Sequence, residues 1–132
     1  MSNFGFEELE VYKAARAFKI RIYKLTDLFP DDERFRLRLQ MRKAALSITN
    51  CIAEGYGRFT YKDRIHFLRE SRGSLTELTD DINDVQDLAY ALPPHLDTLR
   101  ADALTLLKLL NGYIGYLNDQ AKNHHKPKTP PS

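Results

Sequence analysis

Cys51 is the only cysteine in a chain of 132 residues, so no disulfide can form within it, and its place in an apolar-periodic stretch reads as a small buried hydrophobe. No amino-terminal apolar run resembles a signal peptide and no stretch approaches the length that spans a bilayer, which makes the cytoplasm the expected location and a membrane partner unexpected. The net charge of +2 is too small to imply a nucleic-acid partner by itself, so any such inference rests on where the charges sit. A chain this long suits one domain and buries roughly two thirds of the surface its unfolded form exposes.

Reactive constellations are also scarce. A metal site in a helix bundle needs several inward carboxylates with Glu-x-x-His pairs, and the chain offers only Asp63-x-x-His66. His66 and Glu70 are four apart and read as a surface contact, while His124 and His125 fall in a segment with no shaped site. Gly55-x-Gly57 follows a helix, whereas a phosphate-binding glycine loop follows a strand. Nothing supports a nucleophile with its base and orienting acid. The residues therefore point to no enzyme, no catalytic residue, no metal and no cofactor.

What is present is helical periodicity, organised around Asn50-Cys51-Ile52-Ala53-Glu54-Gly55-Tyr56-Gly57-Arg58. Ile48 and Ile52 continue an upstream period, and Gly55 and Gly57 then offer a left-handed backbone at no steric cost, so the helix is expected to end there. Thr60-Tyr61-Lys62-Asp63 has the form of a capping box and starts the next helix. Glu54 opposes the negative end of the helix dipole, so it calls for a cation, and Arg58 is nearest. The pair reads as structural, with ligand binding as the alternative.

In chain order, the spacing predicts a first helix from about Glu7 to Leu28 with a seam of Val11, Ala15, Phe18, Ile22, Leu25 and Phe29. Lys13, Arg16, Arg21 and Lys24 fall on the side away from that seam, Tyr12 and Tyr23 lie on one flank, and no acid occurs between Val11 and Thr26. Pro30 ends this helix. Asp31 or Asp32 is expected to cap the second, with Glu33 in its first turn and a stripe of Leu37, Met41, Ala44, Ala45, Ile48 and Ile52. The third is predicted from Tyr61 to about Ala91 on Tyr61, Ile65, Leu68, Leu75, Leu78, Ile82, Val85, Ala89 and Leu92. Gly73-Ser74 interrupts it. Folding the second and third helices back on each other puts Gly73 opposite Ala44 and Ala45, which suggests close backbone approach. The same register places Glu77, Asp80, Asp81, Asp84 and Asp87 alongside Arg34, Arg38 and Arg42 as internal ion pairs. Pro93-Pro94 leads into a fourth helix carrying Leu96, Leu99, Ala103, Leu106, Leu110, Tyr113 and Leu117, and Leu104, Leu107, Leu109, Ile114 and Tyr116 widen its apolar surface enough to suggest subunit contact. The expectation is an all-α, antiparallel up-down-up-down four-helix bundle over residues 1–121, with a disordered basic and proline-containing tail over 122–132.

The run Phe29-Pro30, Glu33, Phe35, Leu37, Gln40, Arg42, Ala44-Ala45, Ser47-Ile48, then Asn50 through Arg58, then Phe67-Leu68, Gly73-Ser74-Leu75 and Glu77-Leu78 resembles the bacterial four-helix-bundle family first noted in intervening sequences of 23S ribosomal RNA genes. Asn50, Glu54, Gly55, Gly57, Arg58, Gly73 and Ser74 carry its two most specific motifs. Arg36 departs from the glycine expected there, Tyr12 from a common tryptophan, and Thr79 to Asp84 is more acidic than usual. The resemblance implies a ring-shaped homopentamer. It also implies kinship in fold with the accessory variability determinant of diversity-generating retroelements, a basic barrel that binds reverse transcriptase and nucleic acid. The expected function is a non-enzymatic homo-oligomer binding RNA, RNA with DNA, or a nucleoprotein through a basic outer surface, and the resemblance implies a reverse transcriptase as a protein partner. The candidate contacts are Lys13, Arg16, Arg21, Lys24, Arg58, Lys62, Arg64, Arg69 and Arg72, with Tyr12 and Tyr23 to stack on bases. The alternatives are a protein-interaction scaffold without nucleic-acid contact and, least supported, a small-molecule sensor or enzyme.

Overall fold

The computed structural model describes residues 5–33 and 35–125, with the side chains of 124 and 125 left aside. A 3-10 turn at Gly5–Glu8 precedes α1 (Glu10–Thr26), a second at Asp31–Glu33 precedes α2 (Leu37–Tyr56), and α3 (Tyr61–Asp87) and α4 (Pro93–His125) follow. Each helix packs on its two neighbours in the order α1, α2, α3, α4 and back to α1, leaving α1 and α3 diagonal. Side-chain bonds fix the direction along the chain: Arg38 to Thr26 and Arg42 to Tyr23 run antiparallel between α1 and α2, Gln40 to Asp81 and Ser47 to Ser74 between α2 and α3, and Arg72 to Asn111 and Arg100 to Asn83 between α3 and α4. The bundle is up-down-up-down. The starts of α1 and α3 therefore share one end of it with the α2–α3 bend.

The predicted seams form the core. Val11, Ala15, Phe18, Ile22, Leu25 and Phe29 of the first seam and Leu37 through Ile52 of the second are buried, as are Ile65, Leu68, Leu75, Leu78, Ile82 and Val85. Three members of the third seam are not: Tyr61 at its start is half-buried, and the other two lie at its end. Ala89 is exposed and Leu92 is 75% exposed, because α3 ends at Asp87 and not near Ala91. Ala89 adopts φ 58°, with the Ala89 amide donating to the Gln86 carbonyl and that of Tyr90 to Val85. This is a Schellman closure with alanine where glycine is usual.

The start of α2 also differs from the expectation. Neither Asp31 nor Asp32 caps it; Glu33 is buried ahead of the helix and accepts the Leu37 amide at 3.3 Å and the Tyr90 hydroxyl at 3.2 Å. One carboxylate thus ties the α1–α2 connection to the α3–α4 connection. The arginines of α2 turn the other way from their predicted acidic partners. Arg38 donates to the carbonyls of Thr26 and Phe29, and Arg42 to the Thr26 hydroxyl, the Tyr23 carbonyl and the Asp27 carboxylate. Unpaired carbonyls at the negative end of α1 attract those guanidinium groups. Arg34 lies outside the described residues. Among those described, Glu77, Asp80, Asp84 and Asp87 make no ion pair. Asp81 is 3% exposed, and only its Oδ1 is bonded, by Gln40 at 2.7 Å.

Gly73 does not meet Ala44 or Ala45. It is exposed, and a Cβ built there would have nothing within 4 Å. Contact across that interface is made instead by Ser74, bonded to Ser47 at 2.8 Å, and by Ser71, which donates to the Ile48 carbonyl. In α4, Ile114 is core, Leu107 and Leu109 are half-buried, and only Leu104 and Tyr116 of the predicted surplus are largely exposed. The helix continues four residues past Ala121, with Lys122 favourably placed near its negative end; residues 126–132 of the expected tail are outside the described range.

Candidate nucleic-acid interface

The α2–α3 bend is built without any left-handed glycine. Gly57 caps α2 at φ −80°, and its amide donates to the carbonyls of Ala53 and Glu54. Gly55 lies inside α2 and is buried, its would-be Cβ 3.1 Å from the Arg64 carbonyl oxygen and 3.2 Å from Phe67 Cβ. It is a contact glycine, letting the end of α2 touch the start of α3. Thr60 caps α3 by accepting the Asp63 amide at 3.1 Å, while the Asp63 carboxylate accepts no reciprocal bond from the Thr60 amide.

Arg58 pairs with Glu54, as expected, and its guanidinium lies 4.7 Å over the Phe67 ring. Arg64 donates to the Arg58 carbonyl at 2.6 Å and sits over Tyr61. These contacts hold two guanidinium groups on aromatic faces. Phe59 between them is fully exposed. Alongside is an open cleft of about 710 Å³ lined by Phe6, Asn50, Ala53, Glu54, Tyr56, Gly57 and Arg58, so much of the bend motif lines one concavity.

The nine predicted cations do not form one patch. Those of α1 and α3 lie on opposite sides of the bundle, since the two helices are diagonal. Lys13 has Glu8 and Glu10 at 4.0 and 3.7 Å, Arg21 pairs with Asp102 at 2.9 Å, and Arg72 donates to Asn111. Arg16, Lys24, Lys62 and Arg69 are exposed and make no ion pair among the described residues. What comes together is the bend end, where Arg58, Phe59, Lys62 and Arg64 adjoin one another and the first turns of α1 bring Lys13 and Arg16 to the same end. Tyr12 and Tyr23 are not free to stack: Tyr12 meets Phe6 edge-on at 4.9 Å and Tyr23 lies under Arg42. At the bend the fully exposed ring is Phe59. Its signal in the sequence was an aromatic side chain in a short, otherwise polar connection between two helices, where no seam requires it.

Among the described residues no group of three or more His, Cys, Asp or Glu is placed to hold a metal ion, and no helix is long and apolar enough to cross a membrane. His66 faces Glu70 at 3.7 Å.

Residues 7–112 match the profile of the family described as 23S rRNA-intervening sequence protein. The chain is similar in fold, with a TM-score of 0.73 and 20% identity over 79% of this chain and 97% of the other, to the crystal structure of a protein of unknown function from the S23 ribosomal protein family of Bacteroides thetaiotaomicron. No curated protein matches it.

Proposed function

Because the chain belongs to the 23S rRNA-intervening sequence protein family, we propose that it is a non-enzymatic, homo-oligomeric accessory protein of the cytoplasm that binds RNA or a ribonucleoprotein through the cationic end of its bundle. The observation that carries this reading is the α2–α3 bend, where Arg58, Lys62 and Arg64 flank a fully exposed Phe59. Exposed cations neutralise phosphates and release counterions regardless of sequence. An exposed ring stacks on an unpaired base. A reverse transcriptase, implied by the family resemblance, is the proposed protein partner.

Titrating a structured RNA with single-stranded loops against the protein tests this. About five phosphate contacts predict roughly a hundredfold loss of affinity between 50 and 200 mM salt. Lys62→Ala with Arg69→Ala lowers the slope by about two contacts at most. A flat salt response, or no binding at low salt, overturns the electrostatic reading and leaves a protein scaffold.

Self-association is the second part of the proposal. Leu104 is 52% exposed and lies beside a cavity of about 220 Å³ lined by Leu75, Thr76, Thr79, Arg100, Ala103 and Leu107, and Tyr116 is also exposed. These apolar surfaces, with the ring implied by the resemblance, support subunit contact. Light scattering in high salt, where contacts made by charge alone are screened, is expected to give a multiple of the chain mass, a pentamer by the family resemblance, at micromolar concentration; a monomer contradicts it.

A further inference from the structure

Gly73 sits midway along the 27-residue α3 with open space where a side chain would be. A glycine there costs about 1 kcal/mol of helix stability relative to alanine, and nothing inside the chain requires it. The residues around it are ordered by charge. Counting away from Gly73 toward the start of α3, Arg69, His66 and Lys62 stand four, seven and eleven positions off; counting toward its end, Glu77, Asp80 and Asp84 stand at the same intervals. All six are exposed. Spacings of four and three put them on one outward stripe of the helix. Lys62, Arg69, Glu77, Asp80 and Asp84 make no ion pair among the described residues, and His66 has only the exposed Glu70.

We infer that this stripe is a docking surface for a second copy of the chain, two α3 helices crossing antiparallel about a two-fold axis at Gly73. The inference rests on the self-association proposed above and names one surface for it. Rotation about that axis brings Arg69 to Glu77 of the second copy, His66 to its Asp80 and Lys62 to its Asp84, and each pair occurs twice. A self-complementary surface of this kind is what a two-fold contact demands. The absence of a side chain at Gly73 lets the backbones approach where they cross. It is not the head-to-tail contact of a closed ring; with all its copies paired about one shared ring axis, it joins one assembly to one other. It also covers Lys62 and Arg69, so pairing competes with phosphate for them.

Sedimentation velocity at low ionic strength tests this by charge reversal. Glu77→Lys with Asp84→Lys is expected to halve the wild-type assembly mass, as is Lys62→Glu with Arg69→Glu. All four changes in one chain restore it, because the stripe is again antisymmetric, while Lys62 and Arg69 remain lost to RNA. An oligomer whose mass neither pair of reversals alters, or a fourfold variant that does not recover it, overturns the α3 contact and leaves RNA binding and other modes of assembly standing. A wild-type monomer overturns the α3 contact together with the self-association reading.

Discussion

Gly55→Ala lowers the stability of the bundle by about 1–2 kcal/mol, and Gly55→Val by about 3 kcal/mol, in chemical denaturation. Alanine at Gly73 raises it by about 1 kcal/mol. Both glycines have helical backbone, so helix propensity favours alanine at each, less at Gly55 in the last turn of α2, and the change of sign comes from contact. At Gly55 the new methyl group meets the Arg64 carbonyl oxygen at 3.1 Å and Phe67 Cβ at 3.2 Å. Neither can swing aside, since one is backbone of α3 and the other is rigidly attached to it. The first turns of α3 must then move away from α2, loosening the contact that sets Arg58 over Phe67. At Gly73 there is nothing within 4 Å to meet. The Gly73 measurement belongs in high salt, where any α3 pairing is screened. Equal effects at the two sites would remove the reading of Gly55 as a contact glycine.

Helix number, seams and direction were legible because long apolar periods leave little choice: Val11 to Phe29 and Leu37 to Ile52 each bury every predicted member. Boundaries were less so. The stop of α3 is carried by Ala89 at φ 58°, a conformation alanine does not advertise, and the seam spacing continues through Ala89 and Leu92 as if the helix did. Register alone points Arg38 and Arg42 at acids on α3; the carbonyls at the end of α1 compete for them, and such backbone acceptors leave no trace in composition. Glycine in a helix usually marks close approach, which suggests packing at Gly73, and within one chain there is none. Of the candidate site, the cations at the bend were legible from their clustering beside Gly57, whereas the occupied faces of Tyr12 and Tyr23 and the free ring of Phe59 depend on tertiary contacts.

Asp81 was hidden among neighbouring acids, although it stands three residues after Leu78 and four before Val85, at the edge of the seam, and it controls a pH response. Burial, against the opposing hydrogen bond from Gln40 and with help from Asp84, Asp80 and Glu77, lifts its carboxyl from the ordinary 3.8 to about 6. The folded chain therefore holds this proton more tightly than the unfolded chain. Below pH 3.8 the group is protonated in both states and its contribution is fully present; as pH rises through about 6 the folded state must ionise a carboxylate whose Oδ2 has no partner, and stability is lost. At about 1.4 kcal/mol per unit of pKa, the loss reaches at most about 3 kcal/mol. In Asp81→Asn the amide oxygen keeps the Gln40 bond, an unpartnered N–H replaces Oδ2, and the pH-dependent part disappears. The variant is expected to be less stable than wild type near pH 4 and to overtake it near pH 7.5, the difference between the two chains moving by about 2–3 kcal/mol over that range. Urea melts of both chains at several pH values measure this directly, and parallel curves would mean that Asp81 ionises at its ordinary value and is not the buried acid described above.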